Sequence, residues 1–426
     1  MKILLSLMLA LCLCAGARAQ ESLDSLRLEQ AQRIAIESNH DVRLALASVQ
    51  AAQAAIQAAD TAPNPVLTLQ TMNINPGQGI GPGPLRAKAV DSTIRIDQQI
   101  ERGGKRALRV SNAQYLEQAT RADLGEVQRQ LRLAVAQAYY DLLAAQEKRD
   151  IVRDTASLYG RTLDAARQRQ KAGDIAGADV ARIEVDALRA ANDVDQVEAD
   201  LLRAQEILAL ALGRTAEARQ LRAVDPWPAP RADGAGSGDF LEAAIADRAD
   251  IRAAQARVRA ADAGLRLAQS LRTRDVTVGI QAEHWPQSAT NTQGSGNSVG
   301  IAVQVPLFVR NQYQGEIRNA QVAAESARTT LDKARAVARS ELVRSSNDVR
   351  LAASRLRRYD DELLAASARS ADAAEYAFRN GASGVMDVLD ARRTRRATLL
   401  EAGAARADHA KALAAWQAAT ATKDLP

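Results

Sequence analysis

Aromatic residues are scarce: Phe, Trp and Tyr together make up 3% of the 426 residues. Large rings dominate ordinary globular cores, so a chain this poor in them is badly supplied for one. Its 47% hydrophobic content is mostly Ala, Leu and Val, which suits closely packed helices with small side chains at their contacts. Proline is sparse and uneven. Its 11 copies leave residues 85–225 and 307–425 without any. Proline breaks helix interiors, so both windows can hold very long helices, and a Rossmann fold, a TIM barrel or a β-sandwich is disfavoured. Cysteine occurs only as Cys12 and Cys14, and histidine only as His40, His284 and His409, far apart. No cluster has metal-ligand spacing, and no nucleophile–base pairing stands out. Neither an enzyme nor a bound cofactor or metal is expected. Charge of one sign is also missing, with 56 basic against 51 acidic residues and a net +5, which is not the footprint of a nucleic-acid binder. Beyond the N-terminus no apolar run reaches the ~18 residues of a membrane helix. Any membrane entry must therefore be by strands.

The N-terminus reads as a targeting segment. Met1-Lys2 is a short basic start, Ile3 to Cys14 is apolar, and Ala17-Arg18-Ala19 is a small-x-small cleavage site. Residues 1–19 are expected to be a signal peptide, and with them go both cysteines. Leu11 and Leu13 precede the cysteines where acylation wants a small residue, so no lipid anchor is expected.

The remainder repeats itself. Asp41-Val42-Arg43 resembles Asp250-Ile251-Arg252 at an offset of 209, and Asn112-Ala113-Gln114 matches Asn319-Ala320-Gln321 at 207. Gly173 matches Gly381, and Asp179-Val180 matches Asp387-Val388, both at 208. This predicts a duplicated domain: a first repeat over 20–212, a Pro- and Gly-rich linker over 213–239, and a second repeat over 240–426. Each repeat has one grammar. A moderate helix (40–61, 247–272) leads to two short strands, then a very long helix (105–171, 312–379), a Gly-containing turn, and an intermediate helix (178–212, 385–421). Ile317, Ala320, Ala324, Ala327, Leu331, Ala334, Ala338 and Leu342 form a heptad seam of mostly small residues. A helix of this length spans on the order of 100 Å.

Four segments alternate with period two: Val66 to Met72, Thr93 to Gln98, Asp275 to Ala282 and Ser298 to Val305. Such alternation fits transmembrane barrel strands, and equally a half-buried soluble sheet. Export and the long Gly-, Pro- and Asn-rich loops 73–91 and 283–297 favour the membrane. Four strands cannot close a barrel, which needs about eight or more, and lipid does not tolerate an open edge. The chain must pool strands with copies of itself, and three copies supply twelve.

With these features the chain resembles the TolC-like outer-membrane efflux proteins. Gly381-Ala382-Ser383-Gly384-Val385-Met386-Asp387-Val388-Leu389-Asp390-Ala391 looks like the family's second periplasmic tip, and Gly173 to Val180 like the first. Gln99-Ile100-Glu101-Arg102-Gly103-Gly104-Lys105-Arg106 and Pro306 to Gln312 look most like the cobalt–zinc–cadmium branch. The resemblance implies a mainly α chain with a small transmembrane β part. Duplicated long-helix hairpins would form a trimeric α-helical barrel continuous with a twelve-stranded β-barrel in the outer membrane, and extend into the periplasm. It further implies a duct in a tripartite pump, with a periplasmic adaptor protein and an inner-membrane resistance-nodulation-division transporter as partners, outer-membrane lipid around it, and heavy-metal cations as cargo. The same duct for drugs or secreted proteins is the nearest alternative, and a soluble periplasmic coiled-coil adaptor a more distant one.

At i and i+3, Asp387 and Asp390 share a helix face. By spacing alone they read first as helix-start acids stabilised by the macrodipole. The resemblance implies a gate of threefold carboxylates, with Asp179 a weaker member. Gly173, Gly177, Gly381 and Gly384 make the tips tight; they serve as turn residues, as surfaces for an adaptor hairpin, or as both. Phe378 packs at the tip or in the core. Gly103-Gly104 and Pro306 redirect strand into helix.

Overall fold

The computed structural model describes residues 23–74, 90–230, 238–287 and 294–420; the predicted signal peptide lies outside them. The helices, in chain order, are α1 (Leu28–Ser38), α2 (His40–Ala59), α3 (Lys105–Lys171), α4 (Gly177–Leu212), α5 (Gly238–Asp247), α6 (Ala249–Ser270), α7 (Gln314–Arg358), α8 (Leu364–Arg379) and α9 (Val385–Thr420). The strands are β1 (Val66–Met72), β2 (Asp91–Ile100), β3 (Val276–Trp285) and β4 (Gly296–Gln304). The second long helix, expected unbroken over 312–379, is interrupted. Between α7 and α8, Tyr359–Leu363 is a π-helical turn in which the Leu364 N–H donates to the Tyr359 carbonyl. The moderate helices are each preceded by another helix, with single non-helical residues, Asn39 and Arg248, between them. The heptad seam holds: Ile317, Ala324, Ala338 and Leu342 are buried and its other four members half-buried.

The chain divides into two units. One comprises Leu46–Leu124 and Ala249–Arg335 and contains the sheet. The four strands are antiparallel in the order β1-β2-β3-β4, so β2 and β3 join the two hairpins, while β1 and β4 each leave one edge unpaired among the described residues. The register aligns side chains in rows across all four strands. Leu69, Ile94, Ala282 and Val299 form one row, and Leu67, Ile96, Ile280 and Ile301 the next. Apart from Ala282, these side chains are 53–78% exposed, so this face is not packed on any core of the chain. The opposite face is polar. There Arg95 donates to Asp97 Oδ1 at 2.8 Å, in space left by Gly279, whose added Cβ would lie 2.3 Å from that oxygen.

Below the strands the chain turns sharply into α3. Gly103 and Gly104 have φ of +73° and +70°, the left-handed region that favours glycine, and an added Cβ on Gly103 would meet Thr273 Cβ at 2.8 Å. The turn is pinned by Lys105, whose Nζ donates to Asp275 Oδ1 at 2.7 Å and to the Thr273 carbonyl at 2.8 Å. Arg102 N–H adds a third bond, to Asp275 Oδ1, at 2.9 Å. Glu101 and Arg109 form a further ion pair. On the other side, α7 starts at Gln314 rather than Gln312 because Tyr313 stands at φ +61°.

The other unit comprises Met1–Ala45, Gly125–Arg248 and Ala336–Pro426. Its main core brings Leu26 and Ile34 against Tyr139 and Leu142 of α3, Leu208 and Leu212 of α4, and Leu221. The segment after α4 is packed. Leu26 forms a parallel bridge with Ala223, and the Tyr139 hydroxyl donates to the Leu26 carbonyl at 2.9 Å while accepting from Val224 and Asp225 N–H. The two halves end alike. Asn39 Nδ2 donates to the Ala211 carbonyl at the end of α4, and Arg248 Nη1 to the Ala419 carbonyl at the end of α9. Arg248 is 1% exposed and pairs with Glu341 at 2.9 Å.

His409, on α9, is fully buried, and neither ring nitrogen has a hydrogen-bond partner among the described residues. Burial, reinforced by the nearby Arg357 guanidinium, pushes its imidazole below the ordinary value of 6.5. The unfolded chain then binds the proton more readily than the folded one. The stability held by the neutral ring is present above that value and lost as pH falls below it. Melting temperature is expected to fall more steeply between about pH 7 and pH 5 for the native protein than for His409→Leu; parallel pH profiles would show that His409 is not responsible.

Candidate tip and latch

The two tips are built alike. After α3, the Gly173 N–H donates to the Gln170 carbonyl and the Asp174 N–H to that of Arg169; after α8, the Gly381 N–H donates to Phe378 and the Ala382 N–H to Ala377. These are paired 5→2 and 6→1 bonds that close a helix on a left-handed glycine, and Gly173 and Gly381 have φ of +85° and +72°. An added Cβ at either would meet nothing within 4 Å, so backbone conformation, not crowding within the chain, requires glycine. Gly177 is tighter, with Gln170 Nε2 3.1 Å from an added Cβ, and Gly384 is in ordinary contact.

The acidic residues do different jobs. Asp387 Oδ2 accepts the Gly384 N–H at 3.0 Å, satisfying a donor that the helix start leaves free. Asp179 lies 3.8 Å from Arg182 Nη1 on the same helix. Asp390 is exposed and makes no hydrogen bond or ion pair among the described residues. Val388 and Leu389, between the acids, are buried, and Leu389 joins Tyr159, Leu163, Val180 and Ile183 in a core shared by α3, α4 and α9. That anchorage turns Asp387 and Asp390 outward. Phe378 is half-buried, with the Arg169 guanidinium 5.6 Å from its ring centre, so it joins one tip to the other.

One group went unnoticed in the sequence. One turn beyond the acids, Arg392-Arg393-Thr394-Arg395-Arg396 ties α9 to its neighbours. Arg392 bonds Glu375 of α8 at 2.8 Å and Thr162 Oγ1 of α3 at 3.1 Å. Arg393 meets Asp186, and Arg396 meets Asp193, both of α4 and both at 2.5 Å. Asp186 is only 8% exposed, and a carboxylate that deep needs a charged partner. The signal available was four arginines in five positions of one helix. Among the described residues no group of three His, Cys, Asp or Glu side chains could hold a metal ion.

Comparison with known proteins accords with this architecture. The sequence profile of the outer membrane efflux protein family matches residues 31–214 and 240–422. The chain belongs to that family. Its members are channels, not enzymes. Cobalt-zinc-cadmium resistance protein CzcC of Cupriavidus metallidurans is 25% identical over 382 residues, covering 88% of this chain and 85% of that one. Two solved channels share the fold. OprN superposes with a TM-score of 0.74 at 22% identity, covering 92% of this chain and 89% of its own. CusC gives 0.73 at 17% identity, covering 92% and 91%.

The Arg393–Asp186 pair is expected to contribute measurably to stability. Arg393→Ala should cost about 1–3 kcal/mol, because it strands a buried carboxylate. A double-mutant cycle with Asp186→Ala, read by thermal or denaturant unfolding, should give a coupling of at least about 0.5 kcal/mol; strict additivity would mean that the pair is idle.

Proposed function

We propose that this outer-membrane efflux channel is the exit duct of a tripartite pump for heavy-metal cations, and that it works as a homotrimer. The observation that carries the trimer is the sheet. It exposes an aliphatic face and ends in two unpaired edges. Lipid accepts the face but not the edges, so β4 of one copy pairs with β1 of the next until twelve strands close. The long helices follow into the periplasm, a periplasmic adaptor docks at the tips marked by Gly173, Gly177, Gly381 and Gly384, and a resistance-nodulation-division transporter in the inner membrane supplies the energy. The N-terminal segment 1–19 serves as the export signal. The heavy-metal cargo is supported by the likeness to the cobalt-zinc-cadmium resistance protein; drugs or secreted proteins are the competing cargo.

The duct performs no chemistry. Threefold symmetry gathers three copies each of Asp387 and Asp390 about one axis, with Asp179 nearby. Like charges so close repel, and a passing cation offsets the repulsion. Arg392, Arg393 and Arg396 oppose opening by holding α9 to α3, α4 and α8. Of the two ring acids, Asp390 is the cleaner probe, since Asp387 also caps its helix.

Deletion of the gene is expected to lower tolerance to zinc, cobalt or cadmium, with drug tolerance unchanged; the reverse would reassign the cargo. In planar bilayers, Asp390→Ala should weaken block by divalent cations severalfold while leaving the assembly intact. Unaltered block would remove Asp390 from the gate.

A further inference from the structure

Between Asn112 and Gly173 the corresponding stretch of the second half, Asn319 to Gly381, is one residue longer, and the place of the extra residue can be found. In the upper part of the long helices the repeats correspond at an offset of 207, as Asn112 does to Asn319, and at the tips at 208, as Gly173 does to Gly381. Burial narrows the change. Val135, Ala138 and Leu142 of α3 are buried, and so are Leu342, Ser345 and Val349 of α7, each 207 residues later. Tyr159 and Leu163 are buried, and so are Ser367 and Ala371 of α8, each 208 later. The extra residue therefore lies between Val349 and Ser367. In that interval the helix leaves α geometry once, at the π-turn Tyr359–Leu363, whereas α3 runs unbroken through the corresponding stretch. A π-turn closes its hydrogen bonds over one residue more than an α-turn. It can therefore absorb an insertion that would otherwise rotate everything below it by about 100°.

We propose that this turn is a one-residue insertion confined to the second repeat, and that it is the hinge on which the coil α8–α9, with Asp387 and Asp390, moves against α3–α4. The hinge rests on the reading of the tip as a movable gate. Three observations place it here. No residue of the turn is buried, whereas Val349, Ala353 and Leu356 clamp the helix just before it. It leaves the i→i+4 ladder of the flanking helix for an i→i+5 bond, from the Leu364 N–H to the Tyr359 carbonyl, a break that is frequent at functional sites. Its remaining contacts are polar and partly exposed, of the kind that breaks and reforms at little cost. Asp360 Oδ1 meets Arg406 Nη2 of α9 at 2.8 Å, and Arg406 Nη1 meets Glu147 of α3 at 2.8 Å. Glu147 also accepts the Trp227 indole N–H at 2.9 Å. Tyr359 donates to Glu401 at 3.3 Å, with Arg355 5.8 Å from its ring centre. The first repeat, lacking the insertion, has no equivalent hinge, and its coil serves as the fixed side.

Hydrogen exchange of the full-length protein in detergent tests this on the chain alone, whatever it transports, so the hinge can fail without the duct reading failing, and the reverse. Amides of 359–367 should exchange at least about tenfold faster than those of 151–159 in α3; equal protection would overturn the hinge. Asp360→Ala should raise exchange across α8 by a further severalfold and leave the end of α3, 164–171, unchanged. If α8 is unaffected, or if α3 loosens equally, the proposal is wrong.

Discussion

The unpaired backbone at the two edges of the sheet is the constraint on which the rest depends. Every N–H and C=O in hydrocarbon must find a partner within protein, and a four-stranded sheet leaves the outer sides of β1 and β4 without one. Its aliphatic rows exclude water as the remedy, since Leu67, Leu69, Ile94, Ile96, Ile280, Val299 and Ile301 have no core to bury in. Pairing between copies is the remaining solution, and it dictates how the helices must be fed. Gly103, Gly104 and the Lys105–Asp275 pair make the turn from strand to helix, and small residues along the seams allow close helix packing.

The two halves follow one order of elements, and their departures from each other coincide with the mechanism proposed for the tip. Both tips end on the same left-handed glycine closure, and both terminal helices are capped by the residue that breaks the helix pair before the strands, Asn39 in one half and Arg248 in the other. Among the described residues, only the second half has the arginine row at 392–396 and the π-turn. Asp186 and Asp193, which the arginines grip, belong to the first. One half therefore supplies the hinge and the cations, and the other the anchoring carboxylates.

Much of the fold was legible in the sequence because it is written in periodicity. The proline-free windows, the 3-4 seam from Ile317 to Leu342 and the period-two strands each follow from geometry that local sequence must obey. β1 has the bounds that the alternation gives, Val66–Met72, whereas β2 is longer, since Asp91 and Ser92, Gln99 and Ile100 continue the ladder after the pattern fades. The π-turn was not legible, because an insertion is visible only as a change of offset from 207 to 208, and an Ala-rich helix tolerates either phase. The latch was missed for another reason. Arginine and aspartate on helix surfaces are usually solvated, and nothing in the spacing of Asp186 says that it is buried. The gate role proposed for Asp387 and Asp390 rests on resemblance, and the capping bond of Asp387 shows that helix-start chemistry also claims one of them.

Closure of the barrel between copies is the central claim, and disulfide crosslinking across the two free edges tests it most directly. One cysteine is placed on β1 by Gln70→Cys, and one on β4 by a series covering Gly300→Cys, Ala302→Cys and Gln304→Cys. In outer membranes under oxidising conditions, at least one combination is predicted to give covalent dimers and trimers that reduction dissolves. Monomers alone across the whole series would contradict the account.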